Sequence, residues 1–130
     1  MPTTPIDDVP RADRRARTGR DGERAAELAY VRRGYRVVAR NWRCRLGELD
    51  LVLERGGVLV VCEVKTRRGT RFGAGWQAVD ARKQAKLRSV AQAYLIATGA
   101  RPSAVRFDVA SVAVGAGAGS GSVDVFEDAF

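Results

Sequence analysis

At 130 residues and 45% hydrophobic content the chain suits one domain with a modest core, and its net charge of +8 points to an anionic partner. It has no histidine, which excludes Ser-His-Asp and Cys-His triads, histidine metal sites and histidine general bases. Any hydrolysis must therefore come from carboxylates, lysine and metal. No apolar run approaches a membrane span, the polar N-terminus does not resemble a secretory signal, and no G-x-x-x-x-G-K-[ST] loop supports an NTPase. Cys44 and Cys62 make neither a disulfide framework nor a zinc site, so a reducing, cytoplasmic setting is expected.

Taken in order, residues 1–18 carry prolines and charge with almost no apolar content and read as a disordered basic tail; residues 19–130 read as a single domain. Asp21 to Arg33 is the first predicted helix, stopped by Gly34. Glu23, Ala26, Glu27 and Tyr30 share one of its faces, and Ala25, Leu28 and Ala29 another, so it is expected to pack on a sheet. Tyr35 to Trp42 reads as a first strand and Arg43 to Leu46 as a basic turn. Glu48 to Glu54 and Val58 to Lys65 read as two mostly apolar strands joined by a tight turn at Gly56-Gly57. Thr66 to Gly75, with its glycines, arginines and Phe72, reads as a loop. A second helix is predicted over Ala81 to Thr98, with Asp80 as N-cap and Gly99 as stop. Leu87, Val90, Ala91, Tyr94 and Leu95 form its core face. Ala104 to Val114 reads as a strand, residues 115–122 as a flexible connector, and Val123 to Phe126 as an added edge strand. The order αβββαβ, with that extra strand, predicts an α/β fold: a mixed sheet flanked by helices.

Polar residues in the two central strands carry the chemistry. Side chains alternate along a strand, so Glu63 and Lys65 share a face, and a hairpin about Gly56-Gly57 brings Asp50 near Glu63. Two carboxylates and an ammonium then meet at one end of an apolar sheet, where unpaired charge would cost several kcal/mol per group. A structural ion pair would relieve that cost. So would a bound Mg²⁺ or Mn²⁺, which takes carboxylate oxygens, water and substrate phosphate, with the lysine beside the attacked phosphate. One helix-one glutamate could also reach the site, and the residues alone do not choose between Glu23 and Glu27. Directly after this stretch, Thr66 to Arg88 holds seven basic residues against the single acid Asp80. Of these, Arg67, Arg68, Arg71, Arg82, Lys83 and Lys86 are the expected nucleic-acid contacts.

The arrangement D…E-x-K on adjacent strands resembles the restriction-endonuclease-like PD-(D/E)xK nucleases. More closely, the chain is similar to the YraN-like family, related to archaeal-type Holliday junction resolvases. The matching pieces are Gly19 and Glu23 in G-x3-E, Gly34-Tyr35, Arg40-Asn41, GELDLV from Gly47, CEVKTR from Cys62, Phe72-Gly73, Lys83, and RFDV from Arg106, spanning nearly the whole globular part. The resemblance implies a restriction-endonuclease-like core, with Asp50, Glu63 and the Val64 carbonyl as ligands of Mg²⁺ or Mn²⁺ and Lys65 as catalytic lysine. It favours Glu23 over Glu27. The expected activity is endonuclease-like, divalent-metal-dependent hydrolysis of DNA, with a homodimer suited to a symmetric junction by analogy. A non-catalytic nucleic-acid-binding or repair accessory module is the competing expectation.

Overall fold

Three strands in succession, the second and third mostly apolar and joined at Gly56-Gly57, build the sheet that positions everything else. In the computed structural model the described residues are 11–68, 79–114 and 122–130. They form α1 (Arg11–Arg32), β1 (Arg36–Cys44), β2 (Gly47–Arg55), β3 (Val58–Arg68), α2 (Ala81–Thr98), β4 (Ala104–Val114) and β5 (Val123–Phe126). The five strands lie in the order β1-β2-β3-β4-β5. All neighbours are antiparallel except β3 and β4, which run parallel and flank the segment containing α2 in the chain. This is the mixed α/β sheet flanked by two helices that is expected of a restriction-endonuclease-like core.

The two faces of the sheet hold separate cores. Leu49, Val52, Leu59, Val61, Phe107 and Val109 pack against Leu87, Val90, Ala91 and Tyr94 of α2. Leu51, Leu53, Val60, Cys62, Ala110 and Val112 pack against Ala26 and Tyr30 of α1. Gly56 and Gly57 both have positive φ, 57° and 80°, as the tight turn between β2 and β3 requires. Helix α2 has the predicted bounds: the Asp80 side chain accepts a hydrogen bond from the Lys83 N–H at 2.8 Å, and Gly99 closes the last turn in the left-handed conformation.

Two boundaries differ from expectation by three residues or more, and β1 also runs on through Arg43 and Cys44 of the predicted basic turn. Helix α1 begins at Arg11 rather than Asp21, so residues 11–18, expected in a disordered tail, are helical backbone. Arginine and alanine are strong helix formers, and the stretch's lack of apolar residues hides that propensity. Strand β3 runs three residues beyond Lys65, carrying Thr66, Arg67 and Arg68 out of the predicted loop, because each pairs with β4 through the register Thr66↔Val112, Arg67↔Ala113 and Arg68↔Val114. The rest of that loop, including Arg71 and Phe72, lies outside the described residues, as do residues 1–10 and 115–121 of the expected tail and connector.

Helix α1 turns Ala26 and Tyr30 inward, with Glu23 and Glu27 half-buried beside them, and leaves Leu28 half-exposed. Its approach to the sheet is set by Gly22. A Cβ built there would lie 2.1 Å from Thr66 Oγ1 and 3.1 Å from Thr66 Cβ on β3. Alanine would raise helix propensity by about 1 kcal/mol, but the contact on a stiff β-branched side chain should exceed that gain. Gly22→Ala is therefore expected to lower stability by about 1 kcal/mol net in urea unfolding, and Thr66→Ala should recover part of the loss in the double variant.

At the opposite end of the same face, Asp108 is fully buried and fully bonded. It accepts from Tyr30 Oη at 2.7 Å, from Arg106 Nε and Nη2 at 2.9 and 2.8 Å, and from the Asp128 N–H at 3.0 Å. Arg106 also donates to Tyr35 Oη at 2.9 Å. One carboxylate thereby ties α1, β4 and the C-terminal turn together.

Candidate active site at a fork in the sheet

Strands β2 and β3 are paired from Arg55↔Val58 to Leu51↔Cys62 and no further. Beyond that point β2 continues to Gly47 against β1, and β3 continues to Arg68 against β4. Asp50 and Glu63 are the first residues past this fork. Asp50 Oδ2 accepts a hydrogen bond from the Val64 N–H at 2.9 Å, so a carboxylate takes the place of a ladder partner. The N–H and C=O of one strand residue point to the same side, which turns the Val64 carbonyl toward the fork as well.

The local backbone explains how Asp50 comes to be accessible. Regular alternation would place Leu49, Leu51 and Leu53 on one face. Instead Leu49 packs with α2, while Leu51 and Leu53 pack with α1. The strand twists through Asp50, which is left between the two faces and lines a cleft on each side. The α1-side cleft, about 260 Å³, is lined by Arg20, Glu23, Arg24, Glu27, Arg40, Asn41, Asp50 and Leu51. The α2-side cleft, about 420 Å³, is formed by residues including Arg43, Glu48, Asp50, Lys83 and Lys86.

Glu63 and Lys65 point to the α2 side, continuing the alternation of Leu59 and Val61. Burial and then the neighbouring Asp50 push the Glu63 carboxyl up to about 7; Lys83 and, less strongly, Lys65 pull it back. Lys83 Nζ stands 3.9 Å from Glu63 Oε2. Burial also raises Asp50, opposed by the Val64 N–H and by a hydrogen bond shared with Glu63. The two carboxyl groups are thus close enough to share a proton, an arrangement in which both resist ionising together. Among the described residues no ion pair or side-chain hydrogen bond engages the Lys65 ammonium.

The structure separates the two helix-one glutamates. Glu27 is engaged by Arg40, whose Nε and Nη2 both donate to it. Glu23 accepts from Asn41 Nδ2 at 2.9 Å and is raised chiefly by burial, with Asp50 and Glu48 adding to the shift. Glu23 therefore senses the Asp50 carboxylate, while Glu27 is taken up by an arginine.

Of the expected nucleic-acid contacts, Lys83 and Lys86 line the α2-side cleft and Arg82 is exposed on the same first turn of α2. Arg67 departs from expectation: its guanidinium lies 3.9 Å from Asp124 of β5 with 22% of the side chain exposed, because β3 extends and pairs it into the sheet. Arg68 ends β3, and Arg71 falls outside the described residues.

Asn41 has no role assigned by sequence reasoning, although Arg40-Asn41 is among the matching pieces. It has φ 48°, a conformation in which asparagine is enriched, and it lies between the registered pairs Arg40↔Leu51 and Trp42↔Leu49, across from Asp50. Its amide donates to Glu23 at 2.9 Å and to Glu48 at 3.0 Å, using both protons. It holds the two carboxylates that flank Asp50. An isolated asparagine inside a strand, where left-handed backbone is rare, is the available signal.

Chemically, the fork offers two adjacent carboxylates, a carbonyl on the same side and an ammonium, but among the described residues no group of three Cys, Asp or Glu side chains converges into a ligand set. Fold and site together define an α/β protein with a paired-carboxylate centre at a forked sheet. The chain belongs to the family described as Uncharacterised protein family UPF0102, whose profile matches residues 22–112. It is similar to a UPF0102 protein of Symbiobacterium thermophilum (50% identical over 99 residues, 76% of this chain and 84% of that one). It is likewise similar to one of Frankia alni (52% over 94 residues, 72% and 78%). One from Pelotomaculum thermopropionicum is 41% identical over 119 residues, covering 92% of this chain and 99% of the relative. No helix among the described residues is long and apolar enough to cross a membrane.

Proposed function

We propose that the fork is the centre of a divalent-metal-dependent nuclease that hydrolyses DNA phosphodiester bonds, as the resemblance to PD-(D/E)xK nucleases implies. The observation that carries the reading is the Asp50–Glu63 pair: two largely desolvated carboxylates held together beside a lysine, an arrangement that is unfavourable without a shared proton or a cation. The residues fit Mg²⁺ or Mn²⁺. Asp50 and Glu63 would hold it with the Val64 carbonyl, leaving the remaining positions to water and phosphate oxygens. When bound, the cation supplies Lewis-acid stabilisation and an activated water.

The chain's own groups do the rest. Lys65 stands on the same strand face as Glu63 and stabilises charge developing on the attacked phosphate. Lys83 and Lys86 hold the neighbouring backbone. Asn41 fixes Glu23 and Glu48, so the acids around Asp50 keep one geometry. A single small domain reads backbone and shape more readily than sequence, which favours structured or branched DNA over a defined recognition sequence.

The lysine and the carboxylates should fail in different ways. Lys65→Ala is expected to retain metal binding in a thermal-shift titration while slowing cleavage about 10²-fold, the scale of removing one transition-state interaction. Asp50→Asn should lose both metal-dependent stabilisation and cleavage. Wild-type cleavage rates in Lys65→Ala would remove the catalytic assignment. The second reading, a non-catalytic nucleic-acid-binding module, draws on the lack of a third converging ligand side chain among the described residues. It predicts salt-sensitive DNA binding that survives Asp50→Asn, with no cleavage under any metal.

A further inference from the structure

We infer that a single nucleic-acid strand crosses Asp50 from one side of the sheet to the other, held by Arg20 and Arg24 of α1 on one side and by Lys83 and Lys86 of α2 on the other. The inference rests on the nucleic-acid reading above and extends it to a second binding arm and to the path of the strand. Sequence reasoning places the expected nucleic-acid contacts only after Lys65. The structure adds a separate group from α1, brought to the same point by the fork.

Three observations carry it. First, the two clefts have Asp50 in common, so each reaches that carboxylate from its own face of the sheet. Second, acids and bases are sorted by depth. Glu23, Glu27, Glu48 and Asp50 are half-buried, whereas Arg20, Arg24, Arg40, Arg43 and Lys86 are exposed. A polyanion would meet the cations first and the carboxylates only through a bound cation. Third, the cations differ in how far they are already used. Arg40 is committed to Glu27, and Arg43 donates to Glu48 at 3.1 Å. Arg20, Arg24 and Lys86 enter no ion pair among the described residues, and Lys83 stands off at 3.9 Å from Glu63. The uncommitted charges thus fall on both sides of Asp50.

Each cleft measures a few hundred Å³, room for a nucleotide-sized fragment. A strand continuing past the reacting phosphate in both directions needs no free end. That path suits the endonuclease-like cutting already expected.

The test is fluorescence anisotropy with a labelled single-stranded oligonucleotide, in EDTA so that no cleavage intervenes, across a salt series. Three charge-reversed pairs are compared with wild type: Arg20→Glu with Arg24→Glu, Lys83→Glu with Lys86→Glu, and Arg32→Glu with Arg33→Glu at the far end of α1. All sites except Lys83 are exposed, and equal urea midpoints confirm intact folding. Both cleft pairs should weaken binding at least tenfold and flatten the salt slope by about 1.4 each, about 0.7 for every phosphate of a single strand no longer neutralised. The Arg32 and Arg33 pair should change affinity less than threefold. Equal effects of the two α1 pairs would overturn the inference. If the Lys83 and Lys86 pair still weakens binding, the nucleic-acid reading survives and only the second arm falls; if neither cleft pair matters, both fall. For the active protein, a circular single strand should be cut as fast as its linear form, and cutting of the linear form alone would contradict passage through the site.

Discussion

Asp108→Ala should be the most destabilising single substitution in the chain outside the apolar core, lowering unfolding free energy by about 3 kcal/mol. The carboxylate takes four hydrogen bonds at zero exposure, and its removal leaves three donors without their acceptor: the Tyr30 hydroxyl, the Asp128 N–H and the Arg106 guanidinium. Breaking a buried pair from one side costs about 3–5 kcal/mol because the surviving charge remains desolvated. Arg106 keeps 22% of its side chain in water and has Glu127 at 3.7 Å, which places the expectation at the lower end. The exposed Arg36–Glu54 pair, at 2.7 Å, is the control: Glu54→Ala there should change stability by less than about 1 kcal/mol despite the short contact. Urea unfolding of both variants checks the pair of values. An Asp108→Ala loss below about 1 kcal/mol would mean that the network is not what joins α1 and the C-terminal turn to β4.

Glu63→Gln is expected to do the reverse: stabilise the metal-free fold at pH 8 while removing the proposed activity. The Glu63 carboxyl is raised to about 7 by burial and by Asp50. A raised folded-state pKa means that its contribution is fully present below the unfolded value near 4.5 and is lost as pH rises through about 7. Metal-free wild type should therefore lose stability between about pH 5 and pH 8, on the order of 2 kcal/mol with the coupled Asp50 included. Glutamine carries no charge to desolvate, so the variant's stability should be nearly flat over that window. Adding Mg²⁺ or Mn²⁺ should restore wild type by about 3 kcal/mol at a hundredfold excess over Kd, and leave Glu63→Gln much less affected. Thermal or urea unfolding at pH 5 and pH 8, with and without metal, reads all of this. Equal pH dependence in wild type and variant would place the titrating group elsewhere.

The fold is largely legible in the sequence because its signals are local. Mostly apolar strands joined at Gly56-Gly57 and the capped, periodic α2 have little choice of conformation, and β4 and β5 fall within their predicted bounds. Asp50, Glu63 and Lys65 are legible for a related reason: they are polar interruptions in strands otherwise buried on both faces. What escapes depends on neighbours distant in sequence. Nothing near Arg67 says that β3 will find three more partners on β4, and only that pairing draws Arg67 toward Asp124. The early start of α1 is hidden because a helix of arginine and alanine has no apolar stripe to reveal it. Gly22 is hidden because tight packing against Thr66 leaves no trace in the helix's own pattern, and the G-x3-E motif points instead to Gly19, where a Cβ would meet nothing within 4 Å. The choice between Glu23 and Glu27 needs β1, since Asn41 and Arg40 on that strand are what claim the two acids.

The central claim is that the forked carboxylate pair cuts DNA. Its most direct test incubates labelled single-stranded, duplex, flap and four-way-junction DNAs with wild type and Glu63→Gln side by side, in Mg²⁺ and in Mn²⁺. Metal-dependent strand cleavage of at least one of these shapes is expected from wild type and none from Glu63→Gln. Cleavage by both proteins at equal rates would contradict the site, and intact binding with no cleavage by either would contradict the nuclease.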